Sequence, residues 1–331
     1  MTTTTKFTAD MLRLDYAAEI EKLGEWMRQT VFHTLKKKGV VLGLSGGIDS
    51  SVCAALCVRA LGADKVFGIM MPEHDSADDS LILAENLAEH LGVETTIENI
   101  SPLLEGAGCY RRRDEAIRQV VPEYGPGYKS KIVLPNLLTE GGYRLFSVVV
   151  QSPDGKLIKK RLPLGAYQTI VAATNFKQRC RKMMEYFHAD RLNFAVIGTP
   201  NRLEYDQGFF VKQGDGAADL KPIAHLYKTQ VYALAEALDV PEIIRQRPPT
   251  TDTYSLPQSQ EEFYFAVPYD VLDLCLFGKN HGIPAEIVAP AAKLTAEQVE
   301  LVYGDIEAKR KATRYLHLAP QVAIEFPELN V

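Results

Sequence analysis

The stretch VVLGLSGGIDSS, Val40 to Ser51, decides the fold. Five apolar or small residues run without a charge from Val40 to Leu44, and a glycine-containing turn then opens into SVCAALCVRAL. A short unbroken apolar run fits a strand buried on both faces, and the segment after the turn carries helical periodicity. The turn has its own chemistry. Its glycines permit close backbone approach, its hydroxyls can donate to oxyanions, and successive amides at a helix start form a nest for phosphate. There is no Gly-Lys-Ser/Thr, so it is not a Walker P-loop, and the GxGxxG dinucleotide fingerprint is absent as well. Ser45, Gly46, Gly47, Ser50 and Ser51 are therefore expected to cradle a pyrophosphate, with Asp49 in the same turn able to serve as a helix-capping carboxylate.

Outward from this stretch the pattern alternates. Ile20, Leu23, Met27 and Val31 mark an amphipathic helix from Tyr16 to about Lys37, and Lys65 to Met71 reads as a second strand. The polar PEHDSADDS follows as a loop whose aspartates suit a helix cap, and Leu83, Ala84, Leu87, Ala88 and Leu91 stripe the next helix. Helices alternating with apolar strands predict an α/β fold with a parallel twisted sheet flanked by helices. In the middle, RLFSVVVQSPDGKLIKKRL carries an Asp154-Gly155 turn between two strand-like runs, which predicts a hairpin. Asn175 to Phe187 reads as a helix, FAVIGT as a buried strand, and YKTQVYALAEAL as a helix with Val231, Leu234, Ala235 and Leu238 on one face. RPPTTDTYSLPQSQEE is expected to form an irregular wall.

The 331 residues, 46% of them hydrophobic, can build a sizeable core, which excludes a wholly disordered chain and a tiny disulfide-stapled module. Lys plus Arg is 37 against 42 Asp plus Glu, a net charge of -5, so no global basic field argues for nucleic-acid binding. Lys156, Lys159, Lys160 and Arg161 are expected to be a solvated surface. The five scattered cysteines suit buried thiols in a reducing compartment, and their spacing supports no zinc site. With no apolar leader or long apolar run, a soluble cytoplasmic protein is expected, with no membrane and no nucleic-acid partner.

The SGGIDSS loop resembles the phosphate loop of the N-type ATP pyrophosphatase family. Further along, GTPNRLEYDQGFFVKQGDGAADLKPIAHLYKTQVYALAEAL, Gly198 to Leu238, resembles the ammonia-dependent NAD synthetases of that family. The resemblance implies the adenine-nucleotide alpha-hydrolase-like fold, one domain over residues 1–331 with an insertion or flap at 104–168, and ATP and Mg2+ as co-substrate and cofactor. It implies adenylation of the carboxylate of nicotinic acid adenine dinucleotide (deamido-NAD), release of pyrophosphate, and displacement of AMP by free ammonia. A homodimer is implied too, as is free ammonia rather than a built-in glutaminase.

Carried onto this chain, the resemblance implies an ATP site of Gly43, Leu44, Ser45, Gly46, Gly47, Asp49, Ser50, Ser51, Met70, Arg179, Thr199, Lys228 and Thr250. Glu204, the acidic residue of GTxNxxE, would complete a magnesium site with Asp49. Lys212 and Lys228 would join Asp49 as catalytic groups, contacting phosphate or the developing pyrophosphate charge. Asn175 and Arg181, in a segment resembling NxKxRxR, would bind substrate together with Lys212, Asp215 and Asp219. Thr251 stands where a small residue is usual, and LPQSQEEFYFAVPYDVLD departs from GQTDEExLGxxYxxID. These departures keep open a ligase acting on a different carboxylate, and a nucleotide sensor without enzymatic activity.

Overall fold

The computed structural model describes residues 7–138, 145–248, 250 and 253–324, without the side chain of residue 78. Four parallel strands form the central sheet in the order β3-β2-β1-β7: β1 (Val40–Gly43), β2 (Val66–Met70), β3 (Glu94–Ile97) and β7 (Ala195–Val196). β1 pairs in register with β2 from Val40 opposite Val66 and with β7 from Val40 opposite Ala195. Apolar residues are continuous along β1 because both faces are covered. Val40 and Leu42 enter a core with Leu56, Leu87 and Leu234, whereas Val41 packs with Phe67, Ile69 and Leu104 on the other side.

The first face is covered by α1 (Tyr16–Arg28), α2 (Ile48–Leu61), α3 (Asp78–Leu91) and α8 (Lys228–Ala237). The second carries α4 (Ser101–Gly106), α5 (Cys109–Arg118) and α6 (Leu164–Leu192), a helix of 29 residues that extends well beyond the predicted Asn175–Phe187. α7 (Arg202–Gln207), α9 (Glu242–Arg245), α10 (Tyr269–Asn280), α11 (Ala285–Ala292) and α12 (Ala296–Thr313) complete the helices, the last three around a core of their own. The predicted first helix is α-helical only to Arg28 and continues as a π-helical segment through Thr34. Ile20, Leu23, Met27 and Val31 are all buried, as their spacing requires.

The predicted hairpin is present as β5 (Ser147–Gln151) and β6 (Leu157–Arg161), with Gly155 at φ 86° in the turn. A third strand, β4 (Lys129–Val133), lies antiparallel to β5 on its other side. The aspartate cap expected before α3 does not form. Ala77 holds the cap position, and Asp75 of the preceding loop bonds Arg113 and Lys177. Cys53, Cys57, Cys109 and Cys275 are buried free thiols and Cys180 is half-buried. Burial pushes the Cys109 thiol up to about 11 and the Cys275 thiol to about 12. Among the described residues no helix is long and apolar enough to cross a membrane.

Candidate active site

The sheet order places the end of β1 next to the end of β7, with β2 and β3 on the opposite side of β1. In an open parallel sheet this is where a crevice opens beyond the strand ends. A cavity of about 500 Å³ lies here, reached by the loops after both strands. Gly43, Leu44, Ser45, Gly47, Asp49, Ser50 and Met70 line it from the β1 and β2 side.

The loop after β1 is held by its own hydroxyls. Ser50 Oγ donates to the Gly47 carbonyl at 3.0 Å, Ser51 Oγ donates to the same carbonyl at 2.8 Å, and Ser45 Oγ lies 3.0 Å from Ser50 Oγ. Gly47 N–H donates to Ser45 Oγ at 3.3 Å. Gly46 has φ +71°, and a Cβ there would lie 2.5 Å from the Ser80 carbonyl oxygen. Gly46→Ala is therefore expected to cost at least about 2 kcal/mol, from left-handed strain plus the clash. Urea denaturation measures this; a loss under about 0.5 kcal/mol would remove the steric argument for this glycine. Ser51 is fully buried and, with Gly46 and Asp219, is absent from the cavity lining, so its hydroxyl serves the helix start.

Across the crevice Asn201 caps α7. Its Oδ1 accepts from Leu203 N–H at 2.9 Å and Glu204 N–H at 3.2 Å, and Glu204 Oε2 returns a bond to Asn201 N–H at 3.1 Å. The same Asn201 reaches the β1 loop, its Nδ2 donating to Asp49 Oδ1 at 3.1 Å. The cap thus joins Asp49 and Glu204. Lys228, only 1% exposed at the start of α8, ion-pairs with Asp49. Burial acts to lower its ammonium, but Asp49 and Glu204 outweigh that and hold it above the ordinary lysine value. α8 is itself held by Asp273 of α10, whose carboxylate accepts from Lys228 N–H at 3.1 Å and Thr229 N–H at 2.7 Å.

Burial, followed by the neighbouring Asp49 charge, pushes the Glu204 carboxyl up to about 8 despite the pull of Lys228. A hard cation suits this place, since Asn201 joins the Asp49 and Glu204 carboxyl groups here and the Lys228 ammonium pairs with Asp49. Among the described residues no group of three or more His, Cys, Asp or Glu converges, so a cation here would draw further ligands from outside that set, phosphate oxygens and water among them. That donor set fits magnesium, which keeps several waters.

The raised Glu204 value has a consequence for stability. The folded protein holds this proton between about pH 4.5 and 8 where the unfolded chain has released it, so the residue subtracts stability as pH rises through that window. Denaturation in chelator should show the unsubstituted protein losing up to ~1.4 kcal/mol per pH unit relative to Glu204→Gln across that range. A difference that stays constant with pH would contradict it.

The third wall is one face of α6, where Tyr167, Val171, Thr174, Gln178, Lys182 and Glu185 follow helical spacing. Asn175, Arg179 and Arg181 also line the cavity, as do Thr199, Lys212, Asp215 and Thr250. Arg179 Nε donates to the Lys212 carbonyl at 3.3 Å. Lys212 does not join Lys228. Its ammonium donates to the Tyr315 carbonyl at 3.0 Å and lies over the Tyr315 ring. Asp215 accepts from Val211 N–H at 2.7 Å, and burial raises its carboxyl. Asp219 lies outside the cavity lining, where its carboxylate accepts from Val196 N–H at 2.7 Å and fixes β7. Thr251 lies outside the described residues.

Sequence reasoning missed Asn201 and Gln260, although both stand in quoted motifs. Gln260 Nε2 donates to Glu204 Oε1 at 2.9 Å. It also missed the buried Lys177, whose ammonium bonds Glu73 at 2.9 Å, Asp75 at 2.6 Å and the Thr253 carbonyl at 2.6 Å, tying the loop after β2 to α6. The NxKxRxR spacing was its only signal.

Comparison with known proteins supplies what the geometry alone does not. Residues 19–119 and 156–313 match the family described as NAD synthase. The NH(3)-dependent NAD(+) synthetase of Rhizobium meliloti is 61% identical over 324 residues, covering 98% of this chain and 97% of that protein. The solved NH3-dependent NAD synthetase from Campylobacter jejuni superposes with a TM-score of 0.61 at 22% identity, covering 94% of this chain and all of that one (100%). The NMN synthetase from Francisella tularensis superposes at 0.60 with 23% identity, with the same 94% and 100% coverage, so one fold serves both.

Proposed function

The chain belongs to the NAD synthase family, and from that membership we propose that it is an ammonia-dependent NAD+ synthetase: an ATP- and magnesium-dependent ligase that amidates deamido-NAD. The observation that carries the reading is the meeting of Asp49, Glu204 and Lys228 through Asn201, beside a loop built to receive an anion.

The substrate carboxylate oxygen bonds to the α-phosphorus of ATP as the bond from that phosphorus to the pyrophosphate oxygen breaks. Ammonia nitrogen then bonds to the carbonyl carbon, AMP leaves with the former carboxylate oxygen, and a proton passes from nitrogen to water. Ser45, Ser50 and the Gly47 amide orient the phosphates, and the loop's backbone approaches them closely because glycine removes the side chain. Asp49 and Glu204 would hold magnesium, which when bound neutralises phosphate charge. Lys228 is the cation placed to meet the charge of the departing pyrophosphate. Gly43, Leu44, Met70, Thr199 and Thr250 enclose the nucleotide, and Arg179 contacts its phosphates. Asn175, Arg181, Lys212 and Asp215 face the dinucleotide, whereas Asp219 acts by holding β7.

The chain works as one domain and as a homodimer in the cytoplasm. Segment 104–168 contains an insertion within that domain, a reading supported by the break in the family match between residues 119 and 156.

The deciding experiment supplies the purified protein with ATP, magnesium, ammonium and deamido-NAD and follows NAD and AMP by mass spectrometry. Equal amounts of both are expected. AMP formed only with another carboxylate would move the substrate assignment, and ATP binding without any turnover would leave a sensor.

A further inference from the structure

The geometry points to the inserted sheet as a splint that holds the segment from Thr253 to Ala266 against the active site and so positions Glu204. The functional half of this inference rests on the proposed synthetase reading.

A sheet's edge strand presents unpaired N–H and carbonyl groups. β5 covers one edge of β4, and the segment covers the other. Ser130 N–H donates to Ser255 Oγ at 2.8 Å, and Leu256 N–H donates to the Ser130 carbonyl at 3.1 Å. The Gln258 amide donates to the Ile132 carbonyl, and Leu134 N–H donates to the Glu262 carbonyl at 3.0 Å. Lys131 Nζ completes the seam, donating to the Pro257 carbonyl at 3.1 Å and pairing with Glu262 at 2.8 Å. Tyr254 is buried in the same apolar cluster as Ile132, Val148 and Val150, with Phe263 packed against it. The segment, helical only from Glu261 to Phe265, is therefore fixed on two sides, by polar seam and by apolar packing.

The segment's inner side reaches the cavity through Gln260, Phe263 and Tyr264. Gln260 is the important one. Its amide takes Glu204 Oε1 while Asn201 N–H takes Oε2, so both oxygens of the proposed metal ligand are oriented. Partners of this kind fix the direction in which a ligating carboxylate presents its lone pairs. Residues 120–155, which contain β4 and β5, fall outside the family match, whereas β6 lies inside it, so the strand that holds the segment is added to the shared machinery. Lys131, Ser255 and Gln258 are thus positioning residues acting through Gln260.

The test is the double variant Lys131→Ala with Ser255→Ala in the full chain, read by hydrogen exchange of residues 253–266 and by calorimetric titration of ATP binding against magnesium. Exchange of the Leu256 and Phe263 amides should quicken at least about tenfold while β1 and β2 stay unchanged. The magnesium concentration for half-maximal ATP binding should rise about tenfold, the lower end for loss of an outer partner of a metal ligand. Gln260→Ala should reproduce the magnesium shift without the change in exchange, and Lys131→Arg should restore both. Faster exchange with an unaltered magnesium requirement would overturn the positioning role, and unaltered exchange would overturn the splint itself. If the double variant does not fold, Lys131→Ala alone carries the same two readouts. Absence of NAD formation by the unsubstituted protein would instead count against the synthetase reading, because neither readout needs the acyl substrate.

Discussion

Lys228→Met is expected to lower kcat about 10²- to 10³-fold, the range for removing one preorganised donor from a site of developing charge. Lys228 is a buried ammonium, and its ion pair with Asp49 joins positions 179 apart in sequence. Methionine keeps most of the volume and the apolar stem, so what is lost is the charge. Asp49 then stands beside Glu204 without its cation, and breaking a buried pair from one side costs about 3–5 kcal/mol. That destabilisation carries a signature: it should be large in chelator and smaller with saturating magnesium, since a divalent ion supplies the missing charge. Denaturation with and without magnesium, alongside steady-state NAD formation, checks both. A folded variant with near-normal kcat would sink the role given to Lys228.

Asp49→Asn should also cost at least about 10²-fold in turnover, but with a different profile. Asparagine still offers Oδ1 to the Asn201 amide that now donates to Asp49 at 3.1 Å, so the joint between the β1 loop and α7 survives. Lys228 loses its closest partner and turns its charge toward Glu204, whose carboxyl should fall from its value of about 8. Stability in chelator should fall, because the buried Lys228 ammonium loses its ion pair, but by less than in Lys228→Met, because Glu204 can ionise in Asp49's place. The magnesium needed for half-maximal rate should rise sharply. Equal magnesium requirements in variant and parent would falsify the assignment of Asp49 as a metal ligand.

The contrast between these residues shows which parts of the site a sequence displays. SGGIDSS is legible because the turn itself is built locally: Gly46 needs its positive φ, and Ser50 and Ser51 bond a carbonyl within the same turn. The central strands are legible because burial on both faces leaves an uninterrupted apolar run. Glu204 and Lys228 became candidates through motif resemblance, since no spacing announces that two helix starts so far apart will meet at one loop. Lys212 shows the limit of that approach. Its motif names it as a cation for substrate, and the structure places it in the cavity wall with its ammonium on the Tyr315 carbonyl, a contact made by a chain segment more than a hundred positions later. β4 was invisible for a different reason. Its KSKIV run has too few apolar positions to stand out, and it is a strand because β5 and the Ser255–Glu262 stretch occupy its two edges.

The strand order has one more consequence, for biosynthesis. β1 receives its second neighbour only when Ala195 and Val196 arrive, while β2 and β3 follow it closely in the chain. On a translating ribosome the first hundred residues can therefore assemble a three-stranded sheet with one flank of β1 bare, a template for pairing with other nascent chains. Closing that flank also brings in the Asn201 cap, so the second edge of β1 and the seat of Asp49 are completed by the same short stretch of chain.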